Sequence, residues 1–225
     1  MARRLCVACV AFLAITCVAV AELPAIALAI VYDTSGSMRE KVRDSGGNRA
    51  PKYEIANRAL AAVVARLEQF QQTSGAGREL AAGLFVFKGE DAREAVRFGR
   101  FDAEALRGWT KSFLAPDGPT PLGYAVQAAG NALIKSGAAA RHVLVITDGE
   151  NTAGPEPAAV MAAFKKDEAT AEGGAISFHF IAFDVQANAF RKVKEQGATV
   201  VAASDEKELN EQLEFILAEK ILLEK

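Results

Sequence analysis

Cysteine is nearly absent from this sequence of 225 residues. Its only three cysteines, Cys6, Cys9 and Cys17, lie close to its start. The rest of the chain can therefore form no disulfide bond and offers no thiol as a nucleophile. A domain of this kind depends on its hydrophobic core for stability. Such a composition is typical of a bacterial periplasmic or secreted protein and differs from that of a disulfide-dense animal module.

Long apolar runs are also lacking beyond the start of the chain, so no later segment is expected to span a membrane. At the start, Arg3 and Arg4 precede an apolar run over residues 5–18, which leads into an A-x-A motif at residues 19–21. This arrangement predicts a secretory signal peptide at residues 1–21.

Two alternatives to a cleaved signal peptide remain open. The leader could stay attached as an N-terminal membrane anchor, because its apolar run approaches the length of a membrane span. A lipoprotein signal ending at Cys17 is less favoured, since Thr16 is a poor residue directly before a lipidated cysteine. We expect cleavage before Glu22 and a periplasmic or secreted protein with a single domain at residues 22–225.

An excess of basic residues is missing as well. Of the 26 lysine and arginine residues, two lie in the leader, and the remaining 24 face 28 aspartate and glutamate residues, a net charge of −4. Because no basic run or stripe stands out, nucleic acid is not expected as a partner. The 51% hydrophobic and 24% charged residues fit a folded globular domain.

Strand-like and helix-like segments alternate along the predicted domain. The predicted strands cover residues 26–32, 80–87, 142–147, 176–183 and 199–202, with a short edge strand at residues 96–101. The predicted helices cover residues 53–71, 103–113, 122–135, 157–171, 187–196 and 205–219. Residues 38–51 are polar and contain glycine, which predicts a loop. The alternation predicts an α/β fold, a doubly wound and mostly parallel sheet flanked by helices.

Five oxygen-bearing side chains stand at the ends of these predicted elements. They are Asp33, Ser35 and Ser37 in Asp-Thr-Ser-Gly-Ser, Thr120 in Gly-Pro-Thr-Pro, and Asp148 in Thr-Asp-Gly. Ligands of such folds bind beyond the carboxyl ends of the strands, where these residues can converge. Two carboxylates and three hydroxyls are hard oxygen ligands that suit Mg²⁺, Mn²⁺ or Ca²⁺ and suit zinc or copper poorly. Each motif alone is commonly only a turn, so the prediction rests on their combination.

The three motifs together resemble the metal-ion-dependent adhesion site of von Willebrand factor type A domains. That family has Asp-x-Ser-x-Ser, then a distant Thr and a distant Asp, in the order found here. The resemblance implies that the hydroxyls of Ser35 and Ser37 bind the ion directly and that Thr120 does so in one state. It implies that Asp33 and Asp148 act directly or through water. It also implies the Rossmann-like fold of the family and an open coordination position that accepts a carboxylate from a partner protein.

The resulting expectation is a metal-dependent protein-binding module that is not an enzyme and that holds an acidic side chain of its partner. A divalent-metal-dependent phosphohydrolase is the alternative, with Glu150 as the nearby acid for its chemistry. A scaffold whose site binds no metal is a third interpretation. His142 and His179 are interpreted as structural residues. The charged run at residues 39–43 is interpreted as a solvated surface, with contact to a partner as the alternative.

Overall fold

The computed structural model describes residues 26–73, 79–168 and 174–222. The strands of this part are β1 (Ile26–Tyr32), β2 (Lys41–Arg43), β3 (Arg49–Pro51), β4 (Leu80–Lys88), β5 (Asp91–Arg100), β6 (Ala140–Thr147), β7 (Ile176–Phe183) and β8 (Thr199–Ala203). The α-helices are α1 (Lys52–Thr73), α2 (Ala103–Ser112), α3 (Leu122–Ser136), α4 (Pro157–Glu168), α5 (Arg191–Glu195) and α6 (Glu206–Ile216). A π-helical turn, Leu217–Ile221, follows α6.

Six strands form one sheet in the order β5-β4-β1-β6-β7-β8. All neighbours in it are parallel except β5, which pairs antiparallel with β4 at the edge. Helices α1, α2 and α6 contribute to the core on one face, and α3, α4 and α5 to the core on the other. The prediction of a doubly wound, mostly parallel sheet is therefore confirmed.

Strand β1 shows why the sequence of this sheet is continuously apolar. Ile30 and Tyr32 belong to one hydrophobic core, whereas Ala29 and Val31 belong to the other. Because successive side chains of a strand point to opposite faces, a strand covered on both sides has no exposed position for a polar residue. The apolar run therefore fixed the predicted bounds of β1, and the structure reproduces them.

Several predicted elements differ from the observed ones. The predicted loop at residues 38–51 contains the last two residues of a 3₁₀ turn, Gly36–Arg39, and the antiparallel hairpin formed by β2 and β3. The edge strand is longer than predicted, since β5 has ten residues, most of which are partly or fully exposed. The helix expected at residues 187–196 is a 3₁₀ turn followed by the five residues of α5.

Other predictions fall on parts of the chain that are not described. The predicted leader lies outside the described residues, as do the last three positions of the helix predicted at residues 157–171. Among the helices of the described part, none is long and apolar enough to cross a membrane.

Helix α6 is fixed at its start by two acidic residues. Asp205 is the N-cap, and its carboxylate accepts a hydrogen bond from the backbone N–H of Glu208 at 2.9 Å. The carboxylate of Glu208 accepts in turn from the backbone N–H of Ser204 at 2.7 Å. These two bonds satisfy backbone N–H groups at the start of the helix that have no partner within it.

The first residue of α6, Glu206, joins three elements. Its buried carboxylate accepts from Arg58 Nε of α1 at 2.7 Å and from the backbone N–H of Ser45, in the β2–β3 turn, at 2.8 Å. The hydrogen bonds from Arg58 are the largest cause that lowers the pKa of Glu206, to about 2. Glu206 therefore ties the hairpin and α1 to the last helix.

Glu206→Gln should lower the free energy of unfolding at pH 7 by about 2 kcal/mol, the size expected for charged hydrogen bonds. A lowered carboxyl pKa stabilises the fold fully above the ordinary value of 4.5, and this contribution is lost as the pH falls toward about 2. In urea unfolding, the difference in the free energy of unfolding between wild type and variant should therefore disappear over that pH range. The control is Glu211→Gln, whose ion pair with Lys207 is exposed. A gap that stays constant down to pH 2 would contradict the assigned role.

Candidate metal centre

The two candidate aspartates follow neighbouring strands at the same edge of the sheet. Asp33 comes directly after β1, and Asp148 comes directly after β6. The backbone N–H of Asp33 donates to the carbonyl of Ile146 at 3.0 Å, which continues the pairing of the two strands by one residue. The hydroxyl of Thr147 then donates to Asp33 Oδ2 at 2.5 Å. The sheet itself thus sets where both carboxylates lie.

Hydrogen bonds connect four of the five predicted ligands. Asp33 Oδ1 accepts from the backbone N–H of Ser35 at 2.7 Å. The hydroxyl oxygens of Ser35 and Ser37 lie 3.0 Å apart, and Ser37 Oγ donates to Asp148 Oδ1 at 2.8 Å. Residues that are 111 positions apart in the sequence are therefore in direct contact.

Backbone hydrogen bonds bring the loop that carries Thr120 to the same edge. Gly36 N–H donates to the carbonyl of Gly118 at 3.0 Å, and Asp117 N–H donates to the carbonyl of Thr34 at 2.8 Å. Gly118 has a φ of +82°, a conformation that favours glycine. Thr120 is buried, and its hydroxyl would lie 3.9 Å from a Cβ on Gly149, the residue after Asp148. Thr120 therefore stands beside the hydrogen-bonded group without belonging to it.

Neighbouring elements also hold the loop after β1, which carries three of the candidate ligands. Tyr32, the last residue of β1, donates its hydroxyl to Asn57 Oδ1 at 2.7 Å, and its ring packs edge-on against Trp109 with centroids 5.2 Å apart. On the other side, the Thr34 hydroxyl accepts from the backbone N–H of Phe87 at 3.1 Å. The loop after β1 is thus held by groups on α1, α2 and β4.

The electrostatics of this edge favour a cation. The side chains of Asp33 and Asp148 are fully buried, whereas Ser37 is exposed to solvent. Burial, and next the charge of Asp148, raises the pKa of Asp33 to about 6, although hydrogen bonds from Ser35 and Thr147 act in the opposite direction. A divalent ion would balance two buried carboxylates, and the available donors are the oxygens that Mg²⁺, Mn²⁺ and Ca²⁺ prefer. The residues present therefore fit such an ion.

One residue of this region was missed by the sequence analysis. Lys52, at the start of α1, is buried, and its Nζ lies 3.0 Å from Asp148 Oδ2. It also lies 2.9 Å from a carboxylate oxygen of Glu40 and 3.0 Å from one of Asp184, which has a left-handed backbone conformation. Burial lowers the pKa of Lys52, but the three carboxylates raise it by more, so the amine stays charged. A lysine at the start of a helix is ordinarily exposed, and no sequence signal distinguishes this one.

Other candidate residues lie elsewhere. His142 and His179 are buried on β6 and β7, with ring nitrogens 3.2 Å apart. Burial is the main cause that lowers the pKa of His179 to about 3, which keeps its ring neutral. Glu150 is exposed. Across the described ranges, no group of three or more His, Cys, Asp or Glu side chains could hold a metal ion, so the candidate centre depends on its hydroxyls.

One groove of the described part of the chain lies away from this edge. It has a volume of about 770 Å³ and lies between α3, the start of β4 and the end of β5, with Arg97 and Arg100 among its lining residues. The amino end of β4 is opposite the edge that carries Asp33 and Asp148. The candidate centre is instead formed by loops beyond the carboxyl ends of β1 and β6.

Comparisons with known proteins agree with this geometry. The family model of the von Willebrand factor type A domain matches residues 28–150. A search of curated proteins gives no match to the sequence. The search of solved structures gives many matches, three of which are described next.

The minor pilin PilB from Streptococcus sanguinis has a TM-score of 0.65 and 17% identity, over 88% of this chain and 61% of the pilin chain. The von Willebrand factor domain of the type V pili tip protein Mfa5 from Porphyromonas gingivalis has a TM-score of 0.61 and 13% identity, over 88% of this chain and 95% of the Mfa5 domain. Proximal thread matrix protein 1 from the mussel byssus, with a zinc-occupied adhesion motif, has a TM-score of 0.60 and 15% identity, over 87% of this chain and 48% of the mussel chain. The chain thus spans about three fifths of the pilin, and at these identities the likeness shows the fold alone.

Proposed function

The chain belongs to the von Willebrand factor type A domain family, whose members mediate metal-dependent protein interaction, and we propose that it is an extracytoplasmic module that binds a partner protein through a divalent cation. The residues proposed to hold the ion are Asp33, Ser35, Ser37, Thr120 and Asp148. When bound, the ion would supply a Lewis acid with a coordination position open to an acidic side chain of the partner. The five side chains would hold the ion, and Ser37 would leave one side of it accessible to solvent.

The observation that carries the proposal is the continuous contact from Ser35 through Ser37 to Asp148, with Asp33 hydrogen-bonded to the backbone of Ser35. Turns that merely cap backbone groups would not bring hydroxyls of one loop onto a carboxylate of another. These hydrogen bonds hold the oxygens together, and a serine hydroxyl can rotate to direct a lone pair at a cation.

The ion can be identified by comparing the affinities of the protein for several divalent cations. We propose Mg²⁺, with Mn²⁺ and Ca²⁺ as alternatives, because the donors are oxygens only. Zinc belongs in the same comparison, since the mussel protein has zinc in its adhesion motif.

The extracytoplasmic location is supported by the predicted signal peptide at residues 1–21, by the lack of cysteine beyond it and by the pilus proteins among the structural neighbours. A bacterial origin is proposed on the same grounds.

Thr120→Ala should weaken partner capture at least about tenfold while leaving Mg²⁺ affinity within a few fold. The reason is that Thr120 stands outside the hydrogen-bonded group and is proposed to engage the ion in the partner-bound state. The measurement is a pull-down from envelope extract with wild type and variant, each in Mg²⁺ or EDTA, together with calorimetry of the metal alone. Thr110→Ala in α2 is the matched control. A partner retained equally in all these conditions would mean that this edge is not the binding surface.

The phosphohydrolase alternative is tested with the same proteins. Such an enzyme needs a base or nucleophile beside the ion. Hydrolysis of p-nitrophenyl phosphate in Mg²⁺ that disappears in Asp33→Ala would replace the binding proposal.

A further inference from the structure

We propose that the exposed face of the hairpin β2–β3 is a second contact surface for the same partner, and that this partner presents a short run of acidic residues. The inference rests on the proposed function, because it takes the metal centre as the first contact. It adds that the partner's metal-bound carboxylate is flanked by further acidic residues.

Three cations share one face of this hairpin. Val42 is buried against the core, so its neighbours Lys41 and Arg43 point to the opposite, solvent side. Arg49 of β3 is paired directly with Arg43, and residues directly opposite each other lie on the same face. Lys41, Arg43 and Arg49 are all exposed. The face is therefore basic in a chain whose net charge is negative.

The three cations of this face form no ion pair with the described part of the chain. Among the described residues, no carboxylate oxygen lies within 4.0 Å of the charged nitrogens of Lys41, Arg43 or Arg49. The Arg49 guanidinium donates instead to the backbone carbonyl of Lys41. Like charges directly opposite on paired strands are destabilising, so the Arg43–Arg49 pair weakens the isolated hairpin. An anionic partner would remove that repulsion.

The base of the hairpin lies at the metal centre. The backbone N–H of Lys52 donates to the carbonyl of Glu40 at 2.8 Å, which closes the hairpin, and the Lys52 amine contacts Asp148. A strand rises about 3.3 Å per residue, so the Arg43–Arg49 pair lies roughly 7 Å from the Lys41 end of the hairpin. An extended peptide with one carboxylate on the ion can therefore place another, a few residues away, over the arginines.

Contacts within the protein hold the hairpin in place. The hairpin turn is held by the bond from Ser45 N–H to Glu206, and by bonds from Asn48 N–H to Asp44 Oδ1 and from Asp44 N–H to the Asn48 carbonyl. Val42 anchors the strand to the core. Binding would then require little ordering of the backbone, which favours affinity.

An acidic protein segment fits better than other polyanions. Three cations form a small patch, whereas nucleic acid binding ordinarily uses a larger basic footprint. The adjoining metal centre is proposed to take a carboxylate, and a run of carboxylates satisfies both contacts with one kind of group.

The test uses two labelled peptides of equal length, hexaglutamate and a peptide with one glutamate among five serines, with the full-length protein in excess MgCl₂. Hexaglutamate should bind wild type about tenfold more tightly than the single-glutamate peptide, and Arg43→Gln/Arg49→Gln should remove that advantage. The double variant should keep its Mg²⁺ affinity within twofold and its melting temperature no lower than wild type. Arg97→Gln/Arg100→Gln, which removes two exposed arginines of β5, is the matched control and should bind as wild type.

The outcomes separate this proposal from the proposed function. If the single-glutamate peptide binds in an EDTA-sensitive manner but hexaglutamate binds no more tightly, the hairpin proposal is wrong and the metal function stands. An equal loss in the β5 control would also overturn it. If hexaglutamate binding needs the hairpin arginines but persists in EDTA and in Asp33→Ala, the proposal that one partner contacts both the hairpin and the metal centre is wrong. Tighter hairpin-dependent binding of heparin or of phosphatidylglycerol vesicles would exclude a protein partner. If neither peptide binds with metal, the proposed function fails as well.

Discussion

Asp33→Asn and Asp148→Asn should each abolish Mg²⁺ binding, yet they should change the stability of the metal-free protein in opposite directions. The loss of affinity should exceed the roughly 10- to 100-fold typical of outer-shell partners of a metal, because each variant removes a proposed ligand charge. The opposite stability effects follow from the different neighbours of the two carboxylates.

Among the described residues, no lysine, arginine or histidine nitrogen lies within 4.0 Å of the Asp33 carboxylate, and its charge is opposed by burial and by Asp148. Asparagine keeps an oxygen for Ser35 N–H and can donate to the Thr147 hydroxyl, so Asp33→Asn should leave the free energy of unfolding unchanged or raise it by about 1 kcal/mol. Asp148 instead balances the buried Lys52. Asp148→Asn should therefore lower the free energy of unfolding by about 2 kcal/mol.

Calorimetric titration with MgCl₂ and urea unfolding in EDTA, both near pH 8, check these two expectations. Wild-type metal affinity in either variant would remove that residue from the site. A stability change of the same sign and size in both variants would contradict the assigned role of Lys52.

Lys52→Met should be the most destabilising single substitution near the site in the absence of metal. The change keeps the length of the side chain but leaves Asp148, Glu40 and Asp184 without their shared cation. Removing one partner of a buried ion pair typically costs about 3–5 kcal/mol, and the lower value is expected here because Glu40 and Asp184 are partly exposed.

Mg²⁺ should restore much of that loss. Without the lysine amine, the ion meets less positive charge, so its affinity should rise and saturating Mg²⁺ should stabilise the variant more than wild type. Urea unfolding with EDTA and with excess MgCl₂ measures both effects. Lys192→Met, which breaks an exposed ion pair with Glu156, is the control and should change neither quantity measurably. A fall in Mg²⁺ affinity in Lys52→Met would show that the lysine positions Asp148 for the ion, contrary to this account.

The sequence alone was enough to predict the parallel sheet and to place the candidate ligands at its edge. The reasons are physical. Strand β1 is recognisable because it is buried on both faces, and Asp33 is recognisable because it is the first polar residue after that strand. Asp148 is likewise the first polar residue after β6. Strands that are parallel neighbours end at one edge, so the polar residues that follow them are brought together by the topology.

The features that sequence reasoning missed depend on contacts between distant segments. Lys52 is 96 positions from Asp148, and its burial depends on three acids from three different loops. The hairpin β2–β3 lies in a charged, glycine-containing stretch, and its core-facing residues Val42 and Ala50 are too few to show a strand pattern. The extent of β5 was underestimated because its exposed positions are filled by charged residues, which look like a loop when strand pairing is not known.

The most direct test of the metal centre is a crystal structure of the protein grown with MnCl₂, with anomalous diffraction measured at the manganese absorption edge. We predict one strong anomalous peak at the edge of the sheet, in direct contact with the hydroxyls of Ser35 and Ser37 and next to Asp33, Thr120 and Asp148. A peak at another cluster of acids, or no peak among these five residues at millimolar manganese, would contradict the account.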